Sequence, residues 1–158
     1  LSYVYVPYLL NNDMYVAAGM DANDPAIGES NWSTYVDPGF LGAVGALDTA
    51  LSEDTTVAEA LADCDTDIDA GGKTMYRLRE GIERFLISDI NNAAASNKAQ
   101  SEIAFFFDIF STDASNFNHV PGGGNALYMD GHVEFLKYPA EEYPGTRLFA
   151  AIVGFIND

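Results

Sequence analysis

The residues of this chain best suited to chemistry are its carboxylates. The densest set is Asp63-Cys64-Asp65-Thr66-Asp67-Ile68-Asp69-Ala70-Gly71, with an aspartate at every second position. Alternate positions share one face of a β-strand. An extended segment would therefore place Asp63, Asp65, Asp67 and Asp69 together, at a cost in repulsion that a divalent cation relieves. Calcium takes such oxygens, and Glu53 and Asp54 could add to the set. An EF-hand loop is excluded. Counted from Asp63, the positions that need Gly and Glu hold Ile68 and Thr74, and counted from Asp65 they hold Ala70 and Tyr76. Two readings stay open for this segment: a calcium site of another kind, or a solvated acidic loop.

Other reactive groups are sparse. Cys64 is the single cysteine, which excludes an intrachain disulfide framework and a multi-cysteine zinc site, and His119 and His132 are the only histidines. These three have no diagnostic ligand spacing, so both histidines read as structural hydrogen-bonding residues. No nucleophile elbow, Walker loop, dinucleotide fingerprint or H-E-x-x-H is present. The run Gly122-Gly123-Gly124 leads into a strand and not a helix N-terminus, so it reads as backbone freedom and not as a phosphate cradle. Asn31, in Glu29-Ser30-Asn31-Trp32-Ser33, meets both the N-x-S pattern and its longer acidic form, and is a candidate glycosylation site. An acid-pair hydrolase stays open as a minor reading, because two carboxylates that meet in space need share no spacing.

Charge narrows the partners. The 158 residues carry 24 Asp/Glu against 7 Lys/Arg, a net charge of -17. Residues 1–69 hold 13 of the acids and no Lys or Arg. Nucleic acids and anionic membrane surfaces both require basic side chains and are excluded as partners. No apolar run reaches the roughly 18–20 residues of a membrane span. The chain begins with Leu1 and not Met, which reads as a processed product or a piece of something longer.

The elements that must position these groups are short. Residues 2–10 (SYVYVPYLL) read as a strand that Pro7 confines to a sheet edge or a bulge. Asp37-Pro38 reads as an N-cap with proline at the first helical position, ahead of Phe40, Leu41, Val44, Leu47 and Leu51 at helical spacing. Thr56 to Glu59 is a capping box opening a second helix through Ala62. After Gly71-Gly72, the stripe Met75, Leu78, Ile82 and Phe85 predicts an amphipathic helix with Arg79–Glu83 and Glu80–Arg84 pairs on its wet side. Residues 85–90 and 103–110 read as strands, with continuation of the preceding helix as the alternative for the first. Asp130-Gly131 predicts a two-residue hairpin turn, with Tyr128 opposite Val133 and Ala126 opposite Phe135. Residues 146–156 predict a buried helix, apolar almost all round. The sum is an α+β domain over 1–158, an antiparallel sheet with short helices.

The stretch Phe117-Asn118-His119-Val120-Pro121-Gly122-Gly123-Gly124-Asn125-Ala126-Leu127-Tyr128-Met129-Asp130-Gly131-His132-Val133-Glu134-Phe135 resembles the C-terminal H-x9-DG signature of type IV pilin-like (pseudopilin-like) proteins. The segments Met75 to Asn92 and Ser2 to Tyr5 also resemble the corresponding parts of that family. The likeness covers residues 74–158 well and the acidic first half loosely. It departs by one residue, with ten between His119 and Asp130. The prepilin processing site and long apolar N-terminal helix with which such proteins usually start are not among these residues.

The resemblance implies a pilin-like globular head displayed outside the inner membrane of a bacterium, extracellular or at the cell surface, with no catalytic residues and no cofactor. The structural roles then expected are Asp130-Gly131 closing the hairpin, the glycine run permitting its approach, and His119 anchoring the incoming loop. The leading functional expectation is a structural subunit of a homopolymeric filament, touching copies of itself through Tyr3, Val4, Tyr5, Val6, Phe149, Ile152 and Phe155. The alternative is a minor pseudopilin or cargo-recognition module of a secretion apparatus.

Overall fold

The computed structural model describes residues 3–54, 56–85, 99–112 and 122–157. Within them the chain is α+β, as the sequence pattern predicts. A four-stranded antiparallel sheet runs in the order β1 (Tyr3–Tyr5), β4 (Ala104–Asp108), β5 (Gly123–Tyr128), β6 (Val133–Lys137). A separate hairpin pairs β2 (Ile68–Ala70) with β3 (Lys73–Met75). The α-helices that lie wholly within the described residues are α1 (Asn12–Tyr15), α2 (Pro38–Glu53), α3 (Val57–Cys64) and α4 (Arg147–Asn157).

The helix starts follow from local chemistry. The Asp37 carboxylate accepts from the backbone N–H groups of Gly39 and Phe40 at 2.9 and 3.1 Å, with Pro38 at the first helical position of α2. Thr56 and Glu59 form the reciprocal capping box of α3. Helix α4 is capped by the residue before it, Thr146, which is fully buried. Its hydroxyl oxygen accepts from Phe149 N at 3.1 Å and shares a 2.7 Å hydrogen bond with the Tyr15 hydroxyl.

The core lies between the inner face of the sheet and α4, which buries Leu148, Phe149, Ala150, Ala151, Ile152 and Val153. Phe107 on β4, Tyr143 and Phe149 meet edge to face with centroids 4.8 to 5.8 Å apart, and Tyr15 joins Phe40, Tyr143 and Phe149 to them. Two asparagines, Asn12 at the start of α1 and Asn23 in the loop after it, fasten the segment between β1 and α2 to the stretch that leads into α4. Asn12 accepts from Tyr143 N and donates to Glu141 O. Asn23 accepts from Arg147 N and donates to Ala140 O.

Two predicted elements come out differently. The stripe Met75 to Phe85 is no helix: Met75 ends β3, Arg77 bridges Tyr8, and only Ile82–Phe85 makes a 3-10 turn. Arg79 pairs with Asp67 at 3.2 Å and not with the Glu83 expected on a helix, and Arg77 pairs with Asp65, so contacts to the segment before β2 replace the local Arg79–Glu83 pair. That hairpin turns on Gly71 and Gly72, at φ +68° and +95°, the left-handed pair that a two-residue turn requires.

The second difference is the β5–β6 register. Leu127 faces Val133, Ala126 faces Glu134 and Asn125 faces Phe135, one residue away from the predicted pairing. The turn is longer than two residues: Gly131 N donates to Tyr128 O, Tyr128 N donates to His132 O, and only Gly131 has positive φ, at +90°. Asp130 would need positive φ in a two-residue primed turn, and no described non-glycine residue adopts one. A slip of one residue exchanges the faces of a strand. Val133 and Phe135 therefore leave the face of Ala126 and Tyr128 that the predicted pairing would give them, and are 61% and 53% exposed. The predicted strand at 85–90 lies, beyond Phe85, outside the described residues.

Candidate functional site

The hairpin motif forms a built feature. Gly122 and Gly123 have φ of +119° and +152°, values L side chains rarely adopt, and a Cβ on Gly123 would lie 2.5 Å from Leu136 O. The glycine run therefore supplies close approach as well as backbone freedom. A Cβ on Gly124 would lie 2.9 Å from that of Asp108. Asp108 is buried, and its carboxylate accepts from both the backbone N–H and the side-chain amide of Asn125, at 2.8 and 2.9 Å. Sequence reasoning missed this clamp, because nothing local links residues seventeen apart. At the far end, Asp130 accepts from His132 N and the His132 ring at 3.1 and 2.6 Å, which holds its carboxyl below the usual range. The His132 ring stacks on Tyr128 at 4.4 Å. His119 lies outside the described residues.

The outer face of the sheet carries an apolar row across all four strands. Tyr5, Phe106, Leu127 and Val133 are consecutive cross-strand partners. Tyr5 is 60% exposed, Phe106 38% and Val133 61%, while Leu127 is half-buried. Tyr3, also exposed, stacks on Phe106 at 5.6 Å. Of the residues expected to touch a neighbouring subunit, Tyr3, Tyr5 and Phe155 are exposed. Val4 and Val6 are half-buried against the core, and Phe149 and Ile152 are buried by the chain's own fold. The sequence reading erred on these last two because an apolar helix can be covered by its own sheet as well as by a neighbour.

The four alternating aspartates do not line one face of a strand. Asp63 ends in α3, Asp65 and Asp67 lie between elements, and only Asp69 is in β2. Each of the last three has a partner other than its fellows. Asp65 pairs with Arg77, Asp67 accepts from Arg77 N and Arg79, and Asp69 accepts from Gly72 N. Among the described residues no three His, Cys, Asp or Glu side chains gather as a metal-binding group. Asp54 sits at the α2–α3 corner, where burial, then Asp63, Glu59 and Glu53, raise its carboxyl above the ordinary range. The Asn31 carboxamide folds back on its own loop, accepting from Gly28 N and donating to Ala26 O. The nitrogen that would carry a glycan is thus engaged.

An apolar groove of about 960 Å³ opens between α2, α3, α4 and the end of β1. Its walls include Val44, Leu47 and Leu51 of α2, Val57 and Leu61 of α3, and Ile152 of α4. Tyr8, in the same wall, is buried. Its hydroxyl has no hydrogen-bond partner among the described residues and is pushed up to about 12 by burial, then by Cys64, Asp63 and Asp67.

Compared with known proteins, the chain matches no family model, no curated protein and no solved structure. No helix among the described residues is long and apolar enough to cross a membrane.

Proposed function

We propose that this chain is a structural subunit of a bacterial extracellular or cell-surface filament, a pilin-like head that polymerises with copies of itself. The observation that carries the reading is the apolar row Tyr5–Phe106–Leu127–Val133 on an open sheet face, with Tyr3 stacked beside it. An exposed apolar patch of this kind marks an association surface. When it packs against a different surface of the next copy, the contact does not close on itself and generates a filament. The hairpin with its glycine run, and the resemblance of that stretch to the pilin-like signature, support the same reading. The roles it assigns are structural: the Asp108–Asn125 clamp and the Asp130–His132 turn hold the strands that display the row. The net charge of -17 opposes association of copies. Assembly therefore strengthens with ionic strength, whose screening length is about 8 Å at physiological salt.

Removing residues 1–10 would not test this cleanly, since Tyr8, Leu9 and Leu10 belong to the core. The test is electron microscopy and sedimentation of the purified chain against Tyr5→Glu and Val133→Glu, both at exposed positions. Wild-type protein forms ordered polymers in salt, and the two variants stay dispersed with unchanged melting curves. Dispersed wild-type globules under all salt conditions would overturn the reading.

A further inference from the structure

We propose that the groove between α2, α3 and α4 is a docking site for a basic amphipathic helix of another protein, apolar on one face and flanked by Lys or Arg. This does not depend on self-assembly: of the exposed sheet row only Tyr5, at the end of β1, also lines the groove, and the α2, α3 and α4 residues that build it lie outside the row.

Three observations carry it. First, α3 leaves its large apolar side chains uncovered: Val57 is 78% exposed and Leu61 65%, with Leu51 of α2 beside them at 36%. Helix α3 buries none of its residues in the chain's own fold, so its apolar face is left unpartnered. Second, the wall has helical length and spacing. Phe40, Val44, Leu47 and Leu51 line the groove along about 16 Å of α2, or three helical turns. That matches the i, i+4, i+7 anchors of a helix laid in a groove. Third, the surroundings choose the charge of the occupant. Glu53, Asp54, Glu59 and Asp63 stand at the α2–α3 corner, and residues 1–69 contain no Lys or Arg. The two nearby arginines, Arg77 and Arg79, are already paired with Asp65 and Asp67. The Asp54 carboxyl and the Cys64 thiol are raised first by burial, with the acidic neighbours at this corner adding to the shift.

The acidic surroundings also argue against the other occupants. The chain's own exposed apolar helix, α3, carries Glu59 and Asp63, so a second copy would bring acid against acid. An anionic lipid headgroup meets the same repulsion.

The probe is a synthetic Leu/Lys peptide of about 12 residues with its leucines at helical spacing. It is titrated by calorimetry into the full chain beside a scrambled peptide of the same composition and a Leu/Glu counterpart. The Leu/Lys helix binds, with amide shifts of isotope-labelled protein centred on Val57, Leu61 and Ile152. The scrambled peptide binds at least about tenfold more weakly, and the Leu/Glu peptide does not bind. Leu61→Gln and Val57→Gln, at exposed positions, keep the wild-type melting curve and each weaken the Leu/Lys peptide by about tenfold. Equal binding of the scrambled peptide, or of wild type and both Gln variants, would overturn the proposal. So would peptide-free shifts of the same groove residues on raising protein concentration, which would assign the groove to a second copy.

Discussion

Replacing Gly123 with alanine tests the glycine run as a steric device. The new methyl group would lie 2.5 Å from Leu136 O and 2.7 Å from the Phe135 ring, on the strand paired with β5. Neither the carbonyl of a paired strand nor its backbone can give way cheaply. Overpacking of this kind costs about 1–3 kcal/mol. Holding a non-glycine residue at φ +152° adds about 1–3 kcal/mol. Gly131→Ala is the internal control. It too has positive φ, +90°, yet no atom lies within 4 Å of its Cβ position, so only the backbone penalty of about 1–2 kcal/mol applies. Equilibrium urea unfolding of both variants should show Gly123→Ala less stable than Gly131→Ala by about 1–3 kcal/mol. For a domain of this size that corresponds to about 2–4 °C in Tm per kcal/mol. Equal losses would refute the steric account and leave the run with conformational freedom alone.

Three further outcomes follow from buried or shifted groups. Tyr8→Phe removes a buried hydroxyl with no partner among the described residues, so urea unfolding should show unchanged or higher stability, by up to about 1–2 kcal/mol. Thr146→Val loses the cap of α4 and the bond to Tyr15, and should cost about 1–2 kcal/mol in the same assay. For pH, Asp37 and Asp54 act with opposite sign. The Lys73 hydrogen bond, with the cap N–H donors, lowers the Asp37 carboxyl, so its contribution is present above its ordinary value of 3.8 and is lost as pH falls through the lower folded value. Asp54 is raised, so the folded state loses stability as pH rises from 3.8 through the folded value. Asp37→Asn should flatten the acid limb of a Tm-versus-pH curve. Asp54→Asn should raise Tm at neutral pH and make no difference below that limb.

What the sequence made legible was local. The Asp37-Pro38 cap, the Thr56–Glu59 box and the apolar run of α4 each specify their element within a few residues, and each appears in the structure. Failures came where a distant partner overrode a local pattern. The stripe from Met75 to Phe85 fits a helix, but Arg77 and Arg79 find Asp65 and Asp67, and the backbone of Tyr76 and Leu78 bonds to Leu9 and Pro7. The dipeptide Asp130-Gly131 fits two turns that differ by one residue in register, and the choice decides which face Val133 and Phe135 occupy. The primed turn assigned there is found at Gly71-Gly72, where both residues accept positive φ. Asn12, Asn23 and Asp108 hold partners that lie far along the chain and so carry no sequence signal, and the same is true of the bond from Thr146 to Tyr15. The outer apolar row is likewise a property of register and emerges only when four strands are aligned.

The most direct measurement is hydroxyl-radical footprinting of the chain in its salt-assembled form against its dispersed form. Side chains of the outer sheet row, Tyr3, Tyr5 and Phe106, should become protected on assembly, while Met20, exposed on the loop after α1 and outside that row, stays as reactive as in the dispersed chain. Unchanged labelling of Tyr3, Tyr5 and Phe106 in an assembled particle would contradict the account.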